Sequence, residues 1–516
     1  MPGHDGRRRR RGHSPRDRAD AEQGLPQLPW RQSRHIYPPM RVLSTDHVEA
    51  IHLNSLRILE ELGVEVMSPR ARGVFKAAGA DVDEATGTVR LDRGLVEQAL
   101  TTTPSRFTIT ARNPAHRLKI GGDDIVFTLL GGAPNVHDCV RGRRRPSLSD
   151  YQDLIRLAHH FNAIQIIGNQ AIPPAELPVN TRHLDTTYAN LVYSDMSYHA
   201  QSIGAGRAMD GVRMMAISRG ITVEQMAADP GVAAIISVNS PRRFDEAMAE
   251  GLMAIARAGQ VVVVTPFTLM GAMTPVTLAG ALSQQNAEAL MGIVLCQLVR
   301  PGAPVVYGAY TSNVDLRSGA PAFGTPENVK ANIASGQLAR RYNLPLRVSP
   351  TNASNAPDAQ AVYETQMALW SCVLGGANLV YQAVGWLEGG LTASFEKLVL
   401  DVEMIQHMMK VLEPIPVDDG ALAFDAIRDV PTGGHFFGSP HTLERYESAF
   451  YRPLVSDWQN FENWTEAGSK TATERATVIW QQALRDYEQP PMDPAVREAL
   501  DAYVARRKEE IGDGDP

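Results

Sequence analysis

Eight short apolar runs in this 516-residue chain each empty into side chains that can hold a small molecule. Asn169 and Gln170, Gln201 and Ser202, Asn239 and Ser240, Thr265, Thr311, Asn352 and Gln382 supply amides and hydroxyls. Aromatic residues join them at the later runs: Phe267, Tyr307, Tyr310, Tyr381 and Trp386. In a desolvated pocket, aromatic faces with one or two carboxylates hold a quaternary ammonium by cation–π attraction. Few cations are in evidence at these positions, so a phosphate or a dicarboxylate is poorly served.

Tyr307, Tyr310 and Trp386 are the candidates for an ammonium cage, with Phe267 in reserve. Ordinary packing is the competing reading for each ring taken singly. Glu388 or Asp315 could supply a compensating negative charge, and either reads as readily as a solvated loop carboxylate. Gln201, His199 and Asn352 are candidates to hydrogen-bond a substrate carboxylate, although His199 equally suits a satisfied core histidine. Asn352 and Glu388 are the residues nominated for a catalytic role. Asp358 and Glu364 share one helix, where Asp358 is expected to act mainly as a cap.

Several chemistries are missing. There is no G-x-x-x-x-G-K-[ST] phosphate loop. Gly204-Ala-Gly206 lacks the third glycine of a dinucleotide fingerprint. No H-E-x-x-H occurs, and no Cys/His spacing suits a closed zinc site, so no metal is expected. Lys397 and Lys410 read as solvated helical residues, leaving no Schiff-base lysine. Cys139, Cys296 and Cys372 are few and far apart, which suits a reducing, cytoplasmic compartment. The net charge of −7 gives no electrostatic case for nucleic acid, and no window approaches the ~18–20 apolar residues of a membrane span.

The runs that carry these residues cover 125–127, 163–167, 196–200, 232–238, 261–264, 305–307, 346–349 and 379–381. Short runs that are mainly apolar suit parallel strands buried on both faces. Each is followed by a helical stretch, and crossovers of this length are right-handed βαβ units. Eight in succession can close into a (β/α)₈ barrel, whose chemistry sits at the C-terminal ends of its strands. Thr274-Pro275, Thr325-Pro326 and Ala356-Pro357-Asp358 are expected helix starts.

Four regions follow. Residues 1–40, with the basic run Arg7 to Arg11, read as a disordered tail. Residues 41–122 read as an α+β cap, with a helix capped by Ser44 or Thr45 and stopped by Gly63, two further helices, and two short strands around Asn113-Pro114. Residues 123–412 form the barrel. Residues 413–516 form a C-terminal extension ending in a charged helix over 493–511, its last few residues frayed.

Long stretches resemble one family. PVVYGAYTSNVDLRSGAPAFGTPEN (304–328), NASNAPDAQAVYET (352–365), GWLEGGLTASFEKL (385–398) and GGHFFGSPHTLE (433–444) are similar to the trimethylamine methyltransferases. ARNPAHRLKIGGD (111–123) and PVTLAGALSQQNAEALM (275–291) look similar too, and the likeness runs over about 43–507. It implies a (β/α)₈ barrel that moves a methyl group from a methylated amine to Co(I) of a corrinoid on a partner protein. This chain lacks the D-x-H-x-x-G of many cobalamin-binding modules, so the corrinoid is expected from the partner. Gln201, His199 and Asn352 would then face either substrate or corrin side chains.

The founding members carry pyrrolysine, in a region that corresponds here to about 349–355, where only standard residues occur. The resemblance therefore implies a quaternary amine such as a betaine as methyl donor, ahead of trimethylamine. A quaternary nitrogen already has a neutral amine as its leaving group and needs positioning rather than proton transfer. A non-catalytic betaine-binding barrel and a hydrolase or lyase stay open as alternatives. Self-association into a homo-oligomer is also left open.

Overall fold

The computed structural model describes residues 24–168, 170–512 and 514. Asn169 and residues 1–23, including the arginine run, lie outside the described residues, as do 513, 515 and 516 of the expected frayed end.

Eight parallel strands close on themselves. They are Asp124–Leu129, Ile166–Ile167, Ser197–His199, Val232–Ile236, Val261–Val264, Val305–Gly308, Leu346–Val348 and Leu379–Val384, called strands one to eight below. Each pairs with the next, and strand eight pairs back to strand one through Leu379↔Val126 and Val380↔Phe127. All four valines of strand five are buried, as both faces of a barrel strand must be. Side chains alternate along each strand. Val126, Ile166, Ala233, Val261, Val263, Val306 and Leu379 cluster together on the inside.

Alternation sends Tyr307 the other way. Val306 belongs to the interior cluster, so its neighbour Tyr307 faces the helices. There its ring lies 5.9 Å from Tyr342 and its hydroxyl donates to Asn286 Oδ1 at 2.9 Å. The helix supplying Asn286, Leu278–Val299, is buried along most of its length. It begins three residues after the expected Thr274-Pro275 start, whereas Thr325 and Asp358 cap their helices as the sequence implies.

The barrel floor is plugged. The hairpin Phe107–Ile109 with Leu118–Ile120 adds Ile109, Leu118 and Ile120 to the interior cluster. Residues 24–40, expected to be disordered, are laid on the barrel instead. Ser33 pairs antiparallel with Ile125, and the Leu28 amide donates to Gln406 Oε1. Enough apolar and amide partners lie within 24–40 to offset its ordering, which the basic composition upstream obscured. In the cap, Ser44 accepts from the His47 amide, and three short strands missed by the sequence reading form one sheet with Arg243–Phe244 beyond strand four, which Val64–Val66 joins directly.

The C-terminal helix Pro494–Ile511 docks through one buried carboxylate. Asp210 accepts from Tyr503 Oη at 2.6 Å, Arg507 Nε at 2.8 Å and His183 Nε2 at 3.0 Å. The segment before it is different: Ile415, Phe424, Phe437, Phe450 and Trp458 are all more than two-thirds exposed. Among the described residues no helix is long and apolar enough to cross a membrane.

Candidate active site

Strands five and six resume beyond the barrel rim. After Thr265-Pro266 and Ala309 the chain continues as Phe267–Met270 and Tyr310–Val314, paired in parallel with Phe267 opposite Tyr310. The strand Pro321–Ala322 folds back against Asn313 and Val314 and delivers Phe323 to the same place. Trp386 arrives from strand eight, on a small sheet with Thr392–Ser394 and Asn135–Asp138.

These four rings gather around Tyr310. Tyr310 lies 5.1 Å from Phe267, 5.3 Å from Phe323 and 6.0 Å from Trp386, centre to centre, and its plane is nearly parallel to those of the last two. At such spacings the rings make one continuous wall and do not enclose a cage. The wall brings Tyr310, Trp386 and Phe267 together and leaves Tyr307 out. Phe323 was not singled out from sequence, although it sits inside the 304–328 stretch that carried the family likeness.

Arg347 lies below the wall. It is the interior-facing residue of strand seven and is 2% exposed. Its guanidinium carbon is 4.8 Å from the centre of the Tyr381 ring and 5.3 Å from that of Tyr310. Nη2 donates to Gln382 Oε1 at 3.1 Å and Nη1 to the Ala309 carbonyl at 3.4 Å, while Nε has no partner. Among the described residues no carboxylate pairs with it, and burial pushes its pKa down to about 10. A buried, incompletely satisfied guanidinium is a strong anion seat. Sequence reading passed over it because the run looked apolar; period-2 alternation within that run is the signal that points Arg347 inward.

His199 is its neighbour. The imidazole is buried, 4.6 Å from Tyr381 centre to centre, with neither ring nitrogen hydrogen-bonded. Burial first, and then the charge of Arg347, hold its pKa down to about 3, so it is neutral in ordinary buffers. Gln382 reaches Arg347 because strand eight is irregular there, with a left-handed φ of 57° and a register shift between Val380 and Val384. Gln201 stands half-buried just past strand three.

The nominated carboxylates belong elsewhere. Glu388 is locked to Arg143, with Nε at 2.9 Å from Oε1 and Nη2 at 3.0 Å from Oε2. Its charge is neutralised by a bidentate pair and is not free for a ligand. Asp315 is exposed and serves its own hairpin, accepting from Ser318 Oγ at 2.6 Å. Both sit on loops whose three-dimensional course the sequence leaves open.

Asn352 supports the wall from behind. Its Nδ2 donates to the Trp386 carbonyl at 2.7 Å and to Thr365 Oγ1 at 3.2 Å, and its own carbonyl accepts from the Gly389 amide. Thr365 Oγ1 in turn accepts from Lys397 Nζ at 3.0 Å, and Lys397 is ion-paired with Asp401. Lys397 was expected to be solvated; it is 1% exposed. Desolvation pushes its ammonium pKa down and the Asp401 carboxyl pKa up, while each opposes the change in the other. Asp401 Oδ2 accepts the Gly385 amide at 2.7 Å, which ties this charged pair to the turn that presents Trp386.

A family model described as trimethylamine methyltransferase (MTTB) matches residues 7–512. The chain is 36% identical over 479 residues to a glycine betaine methyltransferase of Desulfitobacterium hafniense (strain Y51), covering 93% of this chain and 99% of that one. It is 30% identical over 476 residues to a trimethylamine methyltransferase of D. hafniense (strain DSM 10664 / DCB-2), covering 91% and 94%. A trimethylamine methyltransferase of Methanosarcina mazei is also 30% identical, over 482 residues, covering 92% and 97%.

Proposed function

Because the chain belongs to the trimethylamine methyltransferase family, we propose that this methyltransferase takes its methyl group from a betaine, a quaternary ammonium that carries a carboxylate. The acceptor, Co(I) of a corrinoid held by a separate protein, is its second substrate. Arg347 carries this reading. The ammonium lies against the Tyr310, Trp386, Phe267 and Phe323 wall, and the carboxylate takes the unfilled donors of Arg347, 5.3 Å from the Tyr310 ring.

The same guanidinium disfavours a cation without a carboxylate. A bare methylammonium placed on the wall meets an uncompensated positive charge in a poorly solvated site. A zwitterion neutralises it. The chain's own contribution is grip, orientation and exclusion of water, because the departing tertiary amine is neutral and needs no proton. A neutral His199 accords with that. A Schiff-base route through Lys397 is disfavoured by its burial and its pairing with Asp401.

The exposed Phe424, Phe437, Phe450 and Trp458 support self-association through the extension, since large apolar side chains left this exposed along one segment gain from being covered. Three thiols with no disulfide among them accord with a reducing cytoplasm.

The test is methyl transfer from glycine betaine, longer betaines, tetramethylammonium and trimethylamine to a verified Co(I) corrinoid protein, followed by absorbance. Turnover is expected with at least one betaine and little with trimethylamine. Transfer from trimethylamine at a betaine-like rate would overturn the donor assignment. Binding of betaines with no transfer would instead favour the non-catalytic reading.

A further inference from the structure

We propose that His137, Cys139 and Glu396 form a site for a borderline divalent transition cation of the zinc type, beside the methyl-transfer site and separate from its chemistry. His137 lies in the strand Asn135–Asp138 and Cys139 is the first residue of the turn that follows it. The strand Asn135–Asp138 pairs in parallel with Thr392–Ser394, with His137 opposite Ser394. Glu396 lies two residues beyond Ser394 and meets the other two. One ligand atom from each of the three residues falls within 4.8 Å of the others. Linear spacing, which gave no closed zinc set, could not reveal this, because the third ligand comes from more than 250 residues away.

Unpartnered atoms point to a ligand. Glu396 is 0% exposed, and its Oε1 already accepts from the Cys139 amide at 3.1 Å, Thr477 Oγ1 at 3.0 Å and Trp480 Nε1 at 2.8 Å. Its Oε2 has no partner, and neither does Nδ1 of half-buried His137. A buried carboxylate oxygen and an imidazole nitrogen left unpaired together are costly, and a shared cation satisfies both. Thiolate, imidazole and carboxylate are the ligand types of zinc and its neighbours, whereas magnesium and calcium prefer oxygen alone. Cys139 is exposed, which leaves a route in and a fourth position for water. Binding displaces the thiol proton to solvent and leaves thiolate on the metal.

The site joins three parts of the chain. It would clasp the loop after strand one to the start of the helix Phe395–Val411, whose Glu396 also holds Trp480 of the helix Ala472–Arg485. Trp386 stands on the same small sheet.

Titration of the full-length, metal-stripped protein with Co²⁺ tests this directly. Near-stoichiometric uptake is expected, with a sulfur-to-cobalt charge-transfer band in the near ultraviolet and d–d intensity of low coordination number. Cys139→Ser should lose the charge-transfer band, and His137→Ala should lose stoichiometric uptake; both positions are at least partly exposed, and circular dichroism would verify their folding. Zn²⁺ should displace the cobalt and raise the Tm of wild type more than that of either variant. No uptake above the level of the double variant, or a charge-transfer band that survives Cys139→Ser, would overturn the assignment.

Discussion

The side chain of Asn352 holds the main-chain carbonyl of Trp386 at 2.7 Å. The loop after strand seven thereby fixes the residue by which the segment after strand eight completes the aromatic wall. Asn352→Ala removes that bond and the one to Thr365, leaving a buried carbonyl and hydroxyl short of a partner. An effect of about 1–3 kcal/mol on betaine binding is expected, seen as a raised KM together with altered Trp386 fluorescence. Unchanged KM and emission would free Asn352 of a positioning role.

Arg347→Met should raise the KM for a betaine roughly 10- to 100-fold, the effect of losing a charged hydrogen bond of about 1.5–3 kcal/mol. Tetramethylammonium, which has no carboxylate, should bind no worse. Equal losses for both ligands would mean that Arg347 supports the barrel and does not read the anion. Calorimetric binding of the two ligands gives the comparison without any corrinoid present.

Gly390 has φ of 101°, and a Cβ there would lie 2.1 Å from Cζ2 of Trp386. Gly390→Ala must therefore strain the turn, at about 1–3 kcal/mol, or push the indole out of the wall. A drop in betaine affinity with near-normal far-ultraviolet dichroism is expected. Wild-type affinity in this variant would show that the indole is dispensable to the ligand.

His199 makes stability depend on pH with a definite sign. Its folded pKa is about 3, against 6.5 for an ordinary imidazole. Between those values the unfolded chain binds a proton that the fold excludes, so stability is complete above about pH 6.5 and declines as the pH falls towards 3. His52, held down to about 4 by burial and then by Arg341, adds to the same slope. Tm measured from pH 7 to pH 4 should fall less steeply in His199→Gln than in wild type; parallel curves would remove His199 from this account.

Asp210→Ala leaves Arg507 and His183 without their shared carboxylate and Tyr503 without its acceptor. A loss of about 3–5 kcal/mol is expected, the usual consequence of breaking a buried pair. The helix Pro494–Ile511 should become the first segment to exchange its amide hydrogens. Exchange that stays slow throughout that helix would show that apolar packing, through Leu500 and its neighbours, suffices to dock it.

What the amino-acid order determined by itself was the barrel and its polarity. Runs such as Val261–Val264 are buried on both faces only in a parallel sheet, and their eightfold alternation with helices left closure as the simple solution. It also placed Tyr310, Trp386 and Phe267 beyond strand ends, and the long motifs carried the family.

Tertiary structure alone decided which of those side chains meet. Tyr307 and Val306 are adjacent in sequence, yet strand alternation sends one to the helices and the other inside. Whether Glu388 carries free charge depended on Arg143, 245 residues away, and whether Lys397 is solvated depended on where its helix packs. Arg347 stays without a carboxylate partner among the described residues, and that too depended on which segments chain closure brought around it. Local pattern reflects how each residue meets its own backbone, whereas pairing and desolvation depend on partners brought in by chain closure, which no short window contains.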